Sequence, residues 1–158
     1  MNKQKTSIKH RVVAHPFFRE MKPEHLDLIA GCATEATFDP EAILFREGEP
    51  ADRFYLIETG RIALEAHEAA DRTARVQELG AGDVLGWSWL FPPFVWHFGS
   101  RALAPTSVIV VNGARLLIAC HENHDLGYDI MKRVAQIVIQ RLQASRKRLL
   151  EKKRPPVV

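Results

Sequence analysis

Short apolar runs alternate with turn residues between positions 40 and 113, and this rhythm restricts the possible folds more than any other feature. The apolar residues fall in the stretches 43–45, 54–57, 62–64, 76–79 (as Val76 and Leu79) and 107–111 (after Ser107), separated by turns at 48–50, 60, 80–82 and 112–113. Strands separated by turns at intervals of about 8–12 residues are typical of an antiparallel sandwich or barrel. The sequence therefore predicts a mainly β fold with an antiparallel jelly-roll barrel over residues 38–113. Asn112-Gly113 is predicted as a turn that tolerates positive φ.

Helical patterns flank the β region on both sides. Residues 10–37 are predicted to form N-terminal helices, with Pro23 and Glu24 at a helix start. Residues 114–151 are predicted to form C-terminal helices, and Asn123 is the expected cap of a long helix that Gly127 would weaken. At 158 residues the chain is predicted to form a single domain over 1–158.

The long C-terminal helix carries two apolar stripes. The first, which we call the seam, alternates spacings of four and three residues: Met131, Ala135, Val138, Leu142, Ser145 and Leu149. The second consists of Ile130, Val134 and Ile137. Both stripes could pack on the parent domain, but a helix of about 25 residues would overhang a small barrel. We therefore expect a homodimer formed through this helix.

All three tryptophans of the chain lie in GWSWLFPPFVWHFGSRA, residues 86–102, which we call the aromatic segment. Trp87 and Trp89 flank Ser88, and Trp96 precedes His97. Such a concentration of aromatic surface indicates either a core contact or a binding site.

The stretch AILFREGEPADRFYLIETGRIAL, residues 42–64, closely resembles the cyclic nucleotide-binding domain family, which includes catabolite activator proteins, kinase regulatory subunits and gated channels. Gly82-Asp83-Val84-Leu85-Gly86 resembles the entry into the phosphate-binding cassette of that family, and HPFF at 15–18 resembles its helical lead-in. The resemblance extends over about residues 15–150. It implies a jelly roll with N-terminal helices and a long C-terminal helix, acting as a non-catalytic sensory or regulatory module.

The resemblance also implies where a ligand would bind. In the family, helix N–H groups and an arginine hold the cyclic phosphate while a glutamate binds the ribose hydroxyl. Trp87 stands at the glutamate position, and Trp96, or His97 after a shift of one residue, stands at the arginine position. The expected cassette residues are Gly86, Trp87, Ser88, Trp89, Trp96, His97, Ser100 and Arg101.

Three interpretations of the aromatic segment remain open at this point. The tryptophans could fill the space of the nucleotide, leaving a ligand-free structural or protein-interaction dimer. They could line a pocket for a different small ligand that binds by stacking. Alternatively, cyclic AMP or cyclic GMP could still bind, with its base on a tryptophan and its phosphate held by backbone N–H groups and His97 or Arg101.

Other classes of function find little support in the residues. No nucleophile motif or nucleotide-hydrolysing glycine loop is present, so we predict a non-enzyme. His121 and His124 lack a third metal ligand at suitable spacing, and Cys32 and Cys120 are expected to be buried free thiols. No apolar run approaches the length of a membrane span and no secretory leader is evident, which favours the cytoplasm.

The C-terminal tail is strongly basic, since residues 141–154 hold seven Lys or Arg and one Glu. The tail RKRLLEKKRPPVV is too short for a helix-turn-helix, so sequence-specific DNA binding is not expected. The sequence does not identify the protein that this module would regulate.

Overall fold

The turns predicted from the sequence separate β-strands that helices flank on both sides. A computed structural model describes residues 3–69 and 72–153, and within these ranges it contains eight strands and four α-helices. The helices are α1 Lys3–Ala14, α2 Pro23–Gly31, α3 Gly113–Glu122 and α4 His124–Lys153. The strands are β1 Ala33–Phe38, β2 Ile43–Phe45, β3 Arg53–Thr59, β4 Arg61–Ala69, β5 Arg72–Gly80, β6 Val84–Leu85, β7 Gly99–Ala102 and β8 Thr106–Asn112.

The strands form two antiparallel sheets, which confirms the jelly-roll fold class but not its closure. One sheet has the order β1-β8-β3-β6 and the other β2-β7-β4-β5. The two sheets are not closed into a barrel but face each other as a sandwich. The strands β2 and β6, which lie at sheet edges, are only three and two residues long.

The N-terminal boundary also differs from the prediction of helices over 10–37. Helix α1 begins at Lys3 and α2 ends at Gly31, whereas β1 already begins at Ala33. Strand β1 pairs along its whole length with β8, from Ala33 opposite Val111 to Phe38 opposite Thr106. A partner strand about 70 positions away decides the backbone conformation here, and no local pattern reveals it.

Strand β3 divides the interior into two cores. Its residues 54–57 are all buried because both faces of its sheet are covered. Phe54 and Leu56 face a helix-side core that includes residues of all four helices, whereas Tyr55 and Ile57 face the sandwich interior between the sheets. This alternation follows from the period of two residues along a strand.

The prediction of a glycine turn at Asn112-Gly113 is wrong, since these residues begin α3. The Asn112 Oδ1 accepts a hydrogen bond from the Arg115 N–H at 3.0 Å, which makes Asn112 an N-cap. A Cβ atom at Gly113 would lie 2.7 Å from the Trp89 Cβ. The glycine is therefore needed for close packing and not for a positive φ.

Helix α4 begins as predicted and is fastened to the domain along its first half. The Asn123 Oδ1 accepts from the Leu126 N–H at 3.2 Å. Gly127 does not interrupt the helix; a Cβ there would lie 2.9 Å from the Cys120 carbonyl oxygen, so glycine lets α4 approach α3. Further along, the Arg133 guanidinium donates to the carbonyl oxygens of Phe17 and Arg19.

Candidate functional site

The aromatic segment joins β6 to β7 and begins with a glycine in a conformation that other residues rarely adopt. Gly86 has φ +103°, and a Cβ there would lie 2.8 Å from the Trp96 ring. A short 3₁₀ turn follows over Ser88–Leu90, and the Pro92-Pro93 peptide bond is cis. The glycine thus brings the start of the segment directly against its own third tryptophan.

Trp89 lies in the helix-side core. It is 2% exposed and stacks on Phe54 with the ring centroids 5.0 Å apart. Its neighbour Gly113 begins α3. Trp89 therefore packs the aromatic segment onto the helices.

Trp96 lies in the other core, inside the sandwich. It is 3% exposed and stacks on Phe45 with a centroid distance of 3.8 Å and an interplanar angle of 11°. Its ring also covers Gly86. The Trp96 indole therefore fills part of the sandwich interior next to Gly86, where the aromatic segment begins.

Trp87 and His97 form a third aromatic contact near the surface. Trp87 is half-buried, His97 is exposed, and their rings stack with centroids 5.6 Å apart. The pair flanks a cleft of about 30 Å³. The cleft is lined by Phe45, Leu64, Leu85, Gly86, Trp87, Ser88, Trp96, His97, Phe98 and Arg141.

Of the eight expected cassette residues, this cleft brings together Gly86, Trp87, Ser88, Trp96 and His97. Trp89 packs elsewhere, and Ser100 is buried in β7. Two buried polar atoms of these residues, the Trp96 Nε1 and the Ser100 Oγ, have no hydrogen-bond partner. Unpaired buried donors are costly, so such atoms point to sites where a further acceptor would be stabilising.

Arg101 does not face this cleft. Its Nε donates to the Glu65 Oε1 at 2.9 Å and its Nη1 lies 3.5 Å from the Glu41 Oε2. The hydrogen bond with Glu65 raises the pKa of Arg101 above its ordinary value. These contacts place the guanidinium on the outer surface of the β2-β7-β4-β5 sheet, beside a separate cleft of about 170 Å³.

A different arginine lines the cleft. Arg141 reaches it from α4, and its Nη2 donates to the Val84 carbonyl oxygen at 2.7 Å. Burial lowers the pKa of Arg141, and attraction to the Asp83 carboxylate offsets part of that effect. Sequence reasoning missed this residue because it lies in a long helix, about 40 positions beyond the aromatic segment, and no local motif marks it.

The remaining candidate residues do not form a second site. His121 and His124 are exposed, and within residues 3–69 and 72–153 no group of three His, Cys, Asp or Glu residues could hold a metal ion. Both cysteines are free thiols; Cys120 is buried as predicted, whereas Cys32 is only half-buried. Burial raises the pKa of the Cys120 thiol to about 11. Among the helices of the described ranges, none is both long and apolar enough to span a membrane.

Comparison with known proteins gives a consistent result. The family model for the cyclic nucleotide-binding domain matches residues 35–123. A search of curated proteins finds no match. Three similar solved structures illustrate the relationship.

A protein from Geobacter metallireducens GS-15, assigned as a cyclic nucleotide-binding protein, is 30% identical in sequence and has a TM-score of 0.76. The match covers 85% of this chain and 97% of the Geobacter chain. A cyclic nucleotide-binding domain from Methylobacillus flagellatus KT is 20% identical and has a TM-score of 0.77; the match covers 98% of this chain and 86% of that domain's chain. The regulatory subunit of a cAMP-independent protein kinase A from Trypanosoma brucei is 17% identical and has a TM-score of 0.69; the match covers 84% of this chain and 47% of the subunit.

Proposed function

The chain belongs to the cyclic nucleotide-binding domain family, and on that premise we propose that it is a non-catalytic regulatory module that does not respond to cyclic nucleotides and works as a homodimer. The lack of a response to cyclic nucleotides is inferred from the position of Trp96. The indole lies inside the sandwich, stacked on Phe45, and leaves a cleft of about 30 Å³. Pockets for drug-sized ligands usually measure about 300 Å³ or more.

Among the described residues, neither a glutamate nor Arg101 lines the cleft. Trp87 stands where the family resemblance places the glutamate, and Arg101 is held by Glu65 on the outer face of its sheet. Arg141 does line the cleft, but about 30 Å³ leaves no room for a nucleotide beside it. The trypanosome regulatory subunit, which shares the fold, belongs to a protein kinase A that is described as cAMP-independent.

Intrinsic fluorescence tests this part directly, because all three tryptophans lie in the aromatic segment. Titration with cyclic AMP and cyclic GMP up to about 1 mM, with excitation at 295 nm, should leave the emission unchanged relative to a matched 5′-AMP titration. Isothermal calorimetry on the same samples should detect no heat beyond dilution. A saturable signal specific to either cyclic nucleotide would refute the proposal.

The proposed dimer rests on the two faces of α4. Ile130, Val134 and Ile137 are at most 8% exposed and pack on the helix-side core. On the seam, Met131, Leu142 and Leu149 are 43%, 67% and 57% exposed. The spacing of four and three residues along this face suits the packing of two copies of one helix against each other.

The second half of α4 strengthens this argument. From Ile139 to Lys152 no described residue is buried, although the helix continues without interruption. Isolated helices of this length are marginal in water, and helices in proteins usually depend on packing of an apolar face. A second copy of the same seam would provide that packing.

Substitution within the seam tests the dimer. Leu142→Lys should shift the protein from dimer to monomer in sedimentation velocity, because a charge at a central seam position would be buried against its equivalent. Ile118→Lys is the matched control, since Ile118 is also exposed, at 58%, but lies on α3. A wild-type monomer, or a Leu142→Lys dimer of unchanged affinity, would contradict the proposed interface.

A further inference from the structure

The Arg141 guanidinium carries a positive charge that its surroundings leave largely uncompensated. It is half-buried and makes one side-chain hydrogen bond, to the Val84 carbonyl oxygen. Within the described residues, no carboxylate lies within ion-pair distance of it. Asp83 attracts it from further away, and the Asp83 Oδ2 already accepts from the Gly80 N–H at 2.8 Å.

Charges in such positions are normally paired. A guanidinium has five N–H donors and stays protonated in proteins, so a partly desolvated arginine with one neutral acceptor is poorly satisfied. Arg133, on the same helix, shows the contrast, because it bonds the Asp129 carboxylate as well as two carbonyl groups. Arg141 therefore has donors available on the side that faces the cleft.

The other residues that line the cleft also favour a negatively charged ligand. Arg141 is its one formally charged lining residue among those described, and the other lining side chains are apolar, aromatic or neutral polar groups. Trp96, which forms part of the wall, is 3% exposed, and its indole N–H is buried without an acceptor. An anion in the cleft would complement the guanidinium of Arg141.

We propose that the cleft binds a small planar oxyanion, of the carboxylate or nitrate type, whose oxygens pair with Arg141. A cavity of about 10–15 Å³ holds one water molecule. The cleft of about 30 Å³ therefore accommodates a ligand of the size of formate or acetate. A guanidinium binds two oxygens of such an ion side by side through its planar fork. The ion would touch α4 and the aromatic segment at once and so hold them together.

This site goes beyond the proposed function, since it requires neither nucleotide independence nor a dimer. The probes are sodium formate, acetate and nitrate, compared with sodium chloride and sodium phosphate at equal ionic strength. The three planar anions should raise the thermal midpoint and change tryptophan emission with saturation, whereas chloride and phosphate should not. Phosphate binding that excludes acetate would overturn the assignment of the ligand class.

Variants at Arg141 locate the effect. Arg141→Met should weaken acetate binding at least tenfold, and Arg141→Lys, which keeps the charge but not the fork, should give an intermediate affinity. Arg146→Met is the matched control, because Arg146 is an exposed arginine of the same helix; it should bind acetate as the wild type does. Equal acetate responses in Arg141→Met and wild type would overturn the site, and gel filtration of each variant reports the oligomeric state separately.

Discussion

Trp89 and Trp96 are seven positions apart in one segment, yet they belong to different cores. Both are almost fully buried, each stacks on a phenylalanine, and each has an indole N–H without a partner. Trp89 joins the aromatic segment to the helix-side core, whereas Trp96 fills the sandwich interior next to the cleft. One cluster of tryptophans in the sequence therefore supplies two separate cores, with Trp89 packed against the helices and Trp96 packed between the sheets beside the cleft.

Replacement of each tryptophan by alanine should show the difference between the two cores most strongly. Trp89→Ala should lower the free energy of unfolding by about 3–5 kcal/mol, because the cavity would lie in a closed core between Phe54 and Gly113. Trp96→Ala should cost less, since water can enter through the adjoining cleft. Urea denaturation followed by circular dichroism measures both. A larger loss for Trp96→Ala would show that it is the more important packing residue.

A substitution at Gly86 tests how tightly Trp96 is held. Gly86→Ala should cost about 2 kcal/mol, from the positive φ together with the contact to the indole. Gly48→Ala is the matched control, because Gly48 has φ +87° and open space around its Cβ position. In the Trp96→Ala background the cost of Gly86→Ala should fall to that of Gly48→Ala. An unchanged cost in that background would show that Trp96 does not crowd the glycine.

The smallest effect is expected from His15, at the edge of the helix-side core. Its Nδ1 accepts from the Phe17 N–H at 3.2 Å, and its Nε2 lies 3.2 Å from the Ile57 carbonyl oxygen. Burial lowers the pKa of His15 below the ordinary value of 6.5, although the Ile57 carbonyl and two nearby carboxylates oppose this.

Because the unfolded chain binds the proton more readily, the His15 contribution to stability is complete above about pH 6.5 and declines as the pH falls below that value. Protonation of Nδ1 would also break the bond from Phe17. Urea denaturation between pH 7.5 and 5 should therefore show a steeper loss of stability for the wild type than for His15→Gln. Parallel curves would exclude His15 as the titrating group.

Much of the fold could be predicted from the sequence because local signals agree with it. Gly48 and Gly60 do stand at turns with positive φ, Asn123 caps α4, and the stripe of Ile130, Val134 and Ile137 is buried. Gly86, Trp87 and Trp96, which the family resemblance assigns to the cassette, lie together along one cleft, but their role there stays a prediction. In these places, short-range pattern and tertiary structure favour the same conformation.

The remaining features depend on contacts between distant parts of the chain. Nothing near Ala33 shows that β8 will pair with it. The roles of Gly113 and Gly127 come from the close approach of Trp89 and of the Cys120 carbonyl, which a sequence pattern does not record. In the sequence Arg141 likewise resembles the arginines that follow it in α4, and only the packing of the helix beside β6 distinguishes it.

The attachment of α4 through Arg133 and Arg141 has a mechanical consequence. Two carbonyl contacts near residues 17–19 and one at Val84 fix the helix at its middle, while the turns beyond Arg141 extend without buried residues to the described end at Lys153. Those twelve residues form a lever arm of about 18 Å at 1.5 Å per residue. If this part of α4 tilted by about 10° around Arg141, its end at Lys153 would move by roughly 3 Å. A small tilt at Arg141 would thus become a larger displacement at the far end of α4, where the proposed dimer partner would pack.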